Sequence, residues 1–492
     1  MEYQSTRSDA LHATPAEAVL QGLAPDGGLY TMPALSEIKL DWRAVLKLDT
    51  LSMAREILSA LLPSFSRQEM DALVHAAYEG KFETPDLTPT VPVGDDAVLE
   101  LFRGPTSAFK DVALSMLPRL MTASREKCGV TDEILILTAT SGDTGKAAMA
   151  GFQDVPGTRI IVFYPYGGVS AVQQRQMETQ AGRNVCVCAV RGNFDDAQTG
   201  VKEIFAAVEQ QKLLAGKGVR LSSANSINIG RLAPQVVYYF RSYADLCRMG
   251  RIREGDLVDF AVPTGNFGDI LAGFFAREMG LPVGRLVCAS NANNVLTDFL
   301  RTGRYDRNRP FYKTVSPSMD ILVSSNLERL LFDLSGENDA EVRDYMAKLA
   351  RDGRYEVSDT IKAALREQYW GGCCGEEETA RTIGKYYREK GYLIDTHTAV
   401  AAAVMEQYRA ETGDETVTVF VSTASPYKFC ASVLPAIGVE PKGDGVELLE
   451  QLHEVSGVRI PERLAALRGK ARRFDLTAER EAMDSVVLDF LR

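Results

Sequence analysis

The sequence predicts an α/β protein built on open, twisted, mostly parallel sheets. Three observations carry that expectation. Short apolar runs recur at 134–137, 159–163, 185–190, 258–262 and 416–421. They are continuous rather than alternating, as strands covered on both faces require. Helical patterns follow them, for example at 146–152, and strand–helix alternation is the signature of parallel connections. The loops between strand and helix are rich in Gly, Ser and Thr, and in such folds ligands sit on loops at the carboxyl ends of strands.

In chain order, residues 1–94 read as a first unit. It opens with Tyr3-Gln4-Ser5-Thr6-Arg7 and a helix over 15–21. A turn-rich run, Gly22 to Tyr30, precedes helices over 51–62 and 67–78. The proline-bearing stretch 84–96 reads as a linker. Residues 95–434 hold the apolar runs. Residues 435–492 are charged and helical, with Pro461 starting one helix, and read as peripheral. A chain of 492 residues is long enough for two to four domains and a large core.

Composition narrows the function. Hydrophobic residues are 45% and charged residues 25%, close to the globular average. The net charge of −11 argues against a general nucleic-acid binder. No run of eighteen apolar residues suggests a membrane span, and the N-terminus has no signal-peptide pattern. The eight cysteines form no CxxC pair and, with four histidines, no zinc spacing, so no metal site is expected. A reduced, cytoplasmic chain is the expectation.

Three loops bear chemistry. Thr138-Ala139-Thr140-Ser141-Gly142-Asp143-Thr144-Gly145 follows the run 134–137 and opens a helix, where free N–H groups suit an anion. Pro263-Thr264-Gly265-Asn266-Phe267-Gly268-Asp269 follows the run 258–262 in the same way, and is neither a P-loop nor GxGxxG. Each alone could be an ordinary cap and turn. The third, Phe102-Arg103-Gly104-Pro105-Thr106-Ser107-Ala108-Phe109-Lys110-Asp111, places Lys110 at a helix start. The dipole disfavours a cation there, and burial would make its amine nucleophilic. Two anion loops and such a lysine fit a phosphorylated aldehyde cofactor, pyridoxal 5′-phosphate, held as a Schiff base.

Over about residues 1–435 the chain resembles the threonine synthase family, in the pyridoxal-phosphate fold type II group of tryptophan-synthase-β-like enzymes. The segment Leu101 to Asp111 is similar to the family's cofactor-lysine segment, and Thr138 to Gly145 to its Ser-Gly-Asp-Thr-Gly loop. Ser223-Ala224-Asn225-Ser226-Ile227-Asn228-Ile229-Gly230-Arg231 and Gly265 to Asp269 also resemble family segments. So do Ser422-Thr423-Ala424-Ser425-Pro426-Tyr427-Lys428-Phe429 and the opening runs Tyr3 to Arg7 and Gly22 to Tyr30. Some relatives have His where this chain has Ser425, so position 425 is given no role.

The resemblance implies two lobes on open twisted sheets, the smaller over roughly 128–225, behind an N-terminal threonine-synthase-type domain at 1–94. It implies conversion of O-phospho-L-homoserine and water to L-threonine and phosphate. Lys110 would carry the cofactor and act as general base. Gly265, Asn266, Phe267 and Gly268 would hold the cofactor phosphate, and Thr423 its pyridine nitrogen. Ser141, Gly142, Asp143 and Thr144 would take the substrate carboxylate. Asn225, Ser226, Asn228 and Arg231 would take the leaving phosphate. The segment Ser316 to Asp320, running on to Asn326-Leu327-Glu328-Arg329, also resembles the family but receives no role. A monomer or homodimer is expected, without nucleic-acid or membrane partners. Two other readings stay open: a related lyase, such as a serine or threonine dehydratase, and a non-catalytic threonine-synthase-like protein.

Overall fold

The apolar runs pair side by side into two sheets. The computed structural model describes residues 2–38, 40–211 and 213–492. The larger sheet has six strands in the order Tyr369–Cys373, Val283–Ser290, Val258–Pro263, Thr418–Ser422, Asp96–Glu100, Thr90–Val93. All neighbours are parallel except the last pair. The smaller sheet is wholly parallel, in the order Leu476–Ala478, Val185–Val190, Thr158–Pro165, Glu133–Ala139, Val219–Ser222. Strand Val185–Val190 shows why continuous apolar runs arise. Val185, Val187 and Ala189 enter the core on one face, and Cys186, Cys188 and Val190 that on the other. Both faces exclude water, so neither position in the period-two repeat can be polar.

Two expectations are corrected. The stretch 84–96 is not a linker: Thr90–Val93 turns back on Asp96–Glu100 as an antiparallel hairpin at the sheet edge. Pro92 is tolerated there because an edge strand can lack an N–H donor. The last fifty residues are not peripheral. Leu476–Ala478 pairs with Cys188–Val190, and Met483 and Val487 pack beneath the smaller sheet. Leu448, Leu452 and Leu464 are buried against the larger lobe. Strands Val219–Ser222, Val283–Ser290 and Tyr369–Cys373 escape the sequence pattern because Arg220, Gly284-Arg285 and Gly371-Gly372 interrupt their apolar character.

The N-terminal unit carries a three-stranded antiparallel sheet, Ser8–Ala13, Tyr3–Ser5, Tyr30–Thr31. Helices Thr50–Leu61 and Arg67–Tyr78 pack on each other, the first also on helix Ile229–Arg248 and the second on helix Lys110–Lys127, and the second is started by a Ser66–Glu69 capping box. The unit is fastened to the rest by Glu328, which accepts from Thr6 Oγ1 at 2.6 Å and from Arg7 Nε at 2.7 Å. Beside it the fully buried Arg329 donates to Tyr30 O (2.9 Å), Ile227 O (2.6 Å) and Asn326 Oδ1.

Helix Lys110–Lys127 packs on helix Asp143–Phe152, which joins the smaller sheet to the Lys110 segment. Pro118 lies inside the first helix and has no N–H for the Leu114 carbonyl one turn earlier. Gly151 sits over that carbonyl; a Cβ there would lie 1.9 Å from Leu114 O. Gly151→Ala must push the helices apart. It should cost about 1–3 kcal/mol of unfolding free energy, as overpacking does, read by urea denaturation. A loss no larger than that of an exposed helical substitution would show that the contact is not tight.

Candidate active site

The lysine segment is positioned by a strand end 313 residues away. Phe109 N–H donates to Thr423 O at 2.8 Å, Ser425 N–H donates to Ser107 O at 3.2 Å, and Ala108 bridges Ala424. Thr423 directly follows strand Thr418–Ser422, at the carboxyl end of the larger sheet. Asp111 closes the turn from within, accepting from Thr106 N at 2.7 Å and Thr106 Oγ1 at 2.5 Å. Lys110 is thereby the first residue of helix Lys110–Lys127, and its Nζ donates to Ser318 Oγ at 3.3 Å. Burial lowers its pKa to about 8; Arg231 and Lys428 push the same way, against Asp143 and Asp111.

The loop Thr138 to Gly145 is braced internally. Thr140 Oγ1 accepts the N–H of Gly142 (3.0 Å) and of Gly145 (2.9 Å). Gly142 has φ +133°, and a Cβ there would strike the Gln173 amide at 2.5 Å. Ser141 and Thr144 are partly exposed. Asp143 and Thr144 begin helix Asp143–Phe152, so their N–H groups have no partner within it. The Asp143 side chain points elsewhere. It forms a buried ion pair with Lys428 and accepts from Gln173 Nε2 at 2.8 Å. Burial alone would raise its pKa, but Lys428 and Lys110 outweigh it and hold the carboxyl well below its usual range. From this loop an incoming carboxylate would meet N–H groups and hydroxyls, since the Asp143 carboxylate is already paired.

The second loop joins strand Val258–Pro263 to helix Gly268–Glu278. Phe267 is left-handed, at φ +64°, and buried against Tyr369. Gly265 allows close backbone approach: a Cβ would lie 2.5 Å from Ser318 O. The loop's carbonyls are occupied from outside, Gly265 O by Ser324 Oγ at 2.8 Å and Asn266 O by Asn326 N at 3.0 Å. That leaves the N–H groups at the helix start for an anion. Asp269 faces away, onto Tyr238 OH (2.7 Å) and Tyr239 OH (2.9 Å), and burial raises its carboxyl to about 6.

The run 223–231 meets this loop. A Cβ on Gly268 would lie 3.9 Å from Ser226 Cβ and 3.5 Å from Asn326 Nδ2. Asn225 and Ser226 are partly exposed. Asn228 is committed to the backbone. It caps helix Ile229–Arg248, accepting from Gly230 N at 2.9 Å, and donates to Val19 O and Ser223 O. Arg231 is buried, donates to Ala224 O at 2.6 Å, leaves Nε without a partner, and has no ion pair among the described residues. Burial lowers its pKa to about 10. No metal-binding cluster of His, Cys, Asp and Glu occurs among the described residues.

Lys428, Ser318 and Asn326, which lie in family-like segments but received no role from the sequence, contribute here, as does Gln173, which the sequence did not point to. Lys428 carried a signal, lying between the apolar Tyr427 and Phe429 in a run with few charges. The others are polar residues whose partners are distant in the chain. A cleft of about 300 Å³ lined by Arg7, Tyr305, Glu328 and Tyr355 lies outside this site.

Three family models match in chain order: Threonine synthase N terminus over 2–78, Pyridoxal-phosphate dependent enzyme over 97–365, and Threonine synthase, C-terminal over 398–487. A Pseudomonas aeruginosa threonine synthase is 39% identical over 90% of this chain and 92% of its own length. The chain belongs to the threonine synthase family. Its fold agrees. A structure of pyridoxal-phosphate-bound threonine synthase from Brucella melitensis superposes with TM-score 0.86 at 36% identity, covering all of both chains. The human relative named threonine synthase-like 1 is 36% identical over 86% of this chain, which spans 58% of that protein. As a threonine synthase family member, the chain is a pyridoxal-phosphate-dependent lyase.

Lys428→Met leaves the Asp143 carboxylate buried without its cation. It should cost about 3–5 kcal/mol, measured by denaturation at pH 7, and adding Asp143→Asn should restore part of the loss. Because the Asp143 pKa is lowered by folding, its contribution is fully present above the unfolded value of about 4 and is lost only as the pH falls below that. The deficit of Lys428→Met should therefore shrink on acidification.

Proposed function

We propose that the chain converts O-phospho-L-homoserine and water into L-threonine and inorganic phosphate. The observation that carries the substrate assignment is Arg231, a buried arginine without a carboxylate partner among the described residues, near enough to Lys110 to lower its pKa. A buried, uncompensated cation is costly unless an anion arrives, and a phosphate ester suits a guanidinium.

The residues present fit pyridoxal phosphate. The Gly265 cradle admits no Cβ, the helix start at Gly268 offers N–H donors, and the Lys110 amine is depressed toward neutrality. Lys110 would hold the aldehyde carbon, residues 265–268 the phosphate, and the Thr423 hydroxyl the ring nitrogen. Bound there, the cofactor supplies an electron sink for carbanions next to the substrate nitrogen. The chain's own groups do the rest. Freed Lys110, with a pKa near 8, takes and returns protons at the substrate carbons. N–H groups and hydroxyls of Ser141 to Thr144 orient the substrate carboxylate. Arg231, with Asn225 and Ser226, holds the leaving phosphate; Asn228 shapes that turn. A neutral Thr423 hydroxyl would leave the ring nitrogen less protonated than a carboxylate would, which would favour elimination and replacement. Among the described residues no helix is long and apolar enough to cross a membrane. The eight free cysteines favour the reducing cytoplasm as the place of work.

Turnover of phosphohomoserine in oxygen-18 water should put the label in the threonine hydroxyl and leave the released phosphate unlabelled. 2-Oxobutyrate as the main product would favour the dehydratase reading instead. Borohydride reduction of the cofactor-bound chain should tag Lys110, and a tag on any other lysine would remove Lys110 from its role. Arg231→Ala should raise KM for phosphohomoserine about ten- to a hundredfold, the value of a charge-assisted hydrogen bond, with cofactor affinity kept; an unchanged KM would move the phosphate pocket elsewhere.

A further inference from the structure

Asp395 and His397 lie deep under the site and have been given no part in the reaction. Asp395 caps helix Thr396–Thr412 and is fully buried. Its Oδ2 accepts His397 N at 2.9 Å and pairs with His397 Nδ1 at 2.7 Å. Its Oδ1 accepts Thr398 N at 3.0 Å and the Thr398 hydroxyl. The opposite edge of the imidazole faces a donor: Ser318 N–H points at His397 Nε2, 3.2 Å away. A backbone N–H can only donate, so Nε2 carries the lone pair and Nδ1 carries the proton toward Asp395. The ring is further held against Phe429, with centroids 5.0 Å apart.

Ser318 is where this chain ends in chemistry. Its hydroxyl accepts from Lys110 Nζ at 3.3 Å, and its carbonyl lies against Gly265. The residue sits in a short 3₁₀ turn, Pro317–Met319, with little regular structure to fix it. We propose that Asp395 and His397 are positioning residues: the carboxylate fixes the imidazole tautomer, the imidazole holds the Ser318 amide, and the Ser318 hydroxyl is thereby kept on the Lys110 amine. The significance of this arrangement rests on the reading of Lys110 as the cofactor lysine. The same carboxylate reaches the other side of the site, since Thr398 Oγ1 lies 2.8 Å from Ser422 Oγ, next to Thr423.

The test uses the full, cofactor-free chain and follows reductive methylation of Lys110 against pH by mass spectrometry. Asp143, Asp111, Arg231 and Lys428 act on Lys110 equally in every variant. Ser318→Ala removes an acceptor for the ammonium, so the amine should deprotonate more readily and its labelling at pH 7 should rise about threefold, the weak end for a hydrogen bond. His397→Asn keeps a donor near Asp395 but cannot reach Ser318, and should give the same rise. His397→Gln can place an amide oxygen near the Nε2 position and should label like the wild type. The double variant Ser318→Ala/His397→Asn should show no more than either single change. Independent effects, multiplying to about ninefold, or an unchanged Lys110 in His397→Asn, would overturn the proposal. If His397→Asn does not fold, nitrogen NMR of the wild-type ring decides: a proton on Nε2 rules the arrangement out, and a proton on Nδ1 with wild-type labelling in His397→Gln supports it. The labelling needs no cofactor. A borohydride tag away from Lys110 would therefore sink the proposed function and leave this result readable on its own.

Discussion

A guanidinium with no access to water must find acceptors inside the protein, and Arg329 finds them on three separate segments. Its bonds to Tyr30 O, Ile227 O and Asn326 Oδ1 join the N-terminal unit, the 223–231 run and the helix start at Leu327. With Glu328 holding Thr6 and Arg7, this fixes one end of the stretch Ser316 to Arg329. Everything that stretch touches then follows. Ser324 and Asn326 occupy the carbonyls of the Gly265 loop, and Ser318 reaches Lys110. A segment with almost no regular structure becomes the scaffold of the site because its polar groups have no alternative partners. The family's N-terminal unit is thus part of what holds the Gly265 loop in shape, since it supplies one of the three anchors.

The electrostatics of the site are unbalanced in a useful direction. Lys110 has Lys428 and Arg231 as cationic neighbours and the buried carboxylates Asp143 and Asp111 as anionic ones, and Lys428 already claims Asp143. That pair joins the smaller lobe to the 3₁₀ turn after Thr423 and so braces the two halves of the site. Burial first, and the cations Arg231 and Lys428 after it, bring the Lys110 amine to about 8, and the buried Arg231 has no ion pair among the described residues. A protein with a net charge of −11 can concentrate positive potential in one cavity because burial, rather than total charge, sets the local field.

Much was legible in the residues alone. Parallel strands buried on both faces must be continuously apolar, so 134–137, 159–163, 185–190 and 258–262 declared themselves. Runs of small and polar residues mark strand-to-helix turns, so Ser141 to Gly145 and Gly265 to Gly268 did too, each leading into a helix. Strand Thr90–Val93 was hidden because prolines signal loops wherever a full ladder is needed, and an edge does not need one. Strand Leu476–Ala478 was hidden because a three-residue strand, two of whose residues stay exposed, has no apolar period to read.

What the sequence by itself determined was therefore whatever is written in local composition: the buried strands, the strand-to-helix loops, and a lysine placed against the helix dipole. Only the tertiary structure decided which polar groups were spoken for. Asn228 and Arg231 sit three residues apart in one run, yet Asn228 is spent on the backbone while the Arg231 guanidinium keeps an unpartnered Nε. Asp143 stands in the Ser141 to Gly145 loop, yet its charge belongs to Lys428, 285 residues away. Local pattern reports whether a position is wet or dry, because the periods of helix and strand are local. It cannot report hydrogen-bond partners, because those are fixed by contacts between segments that meet only when the chain has folded.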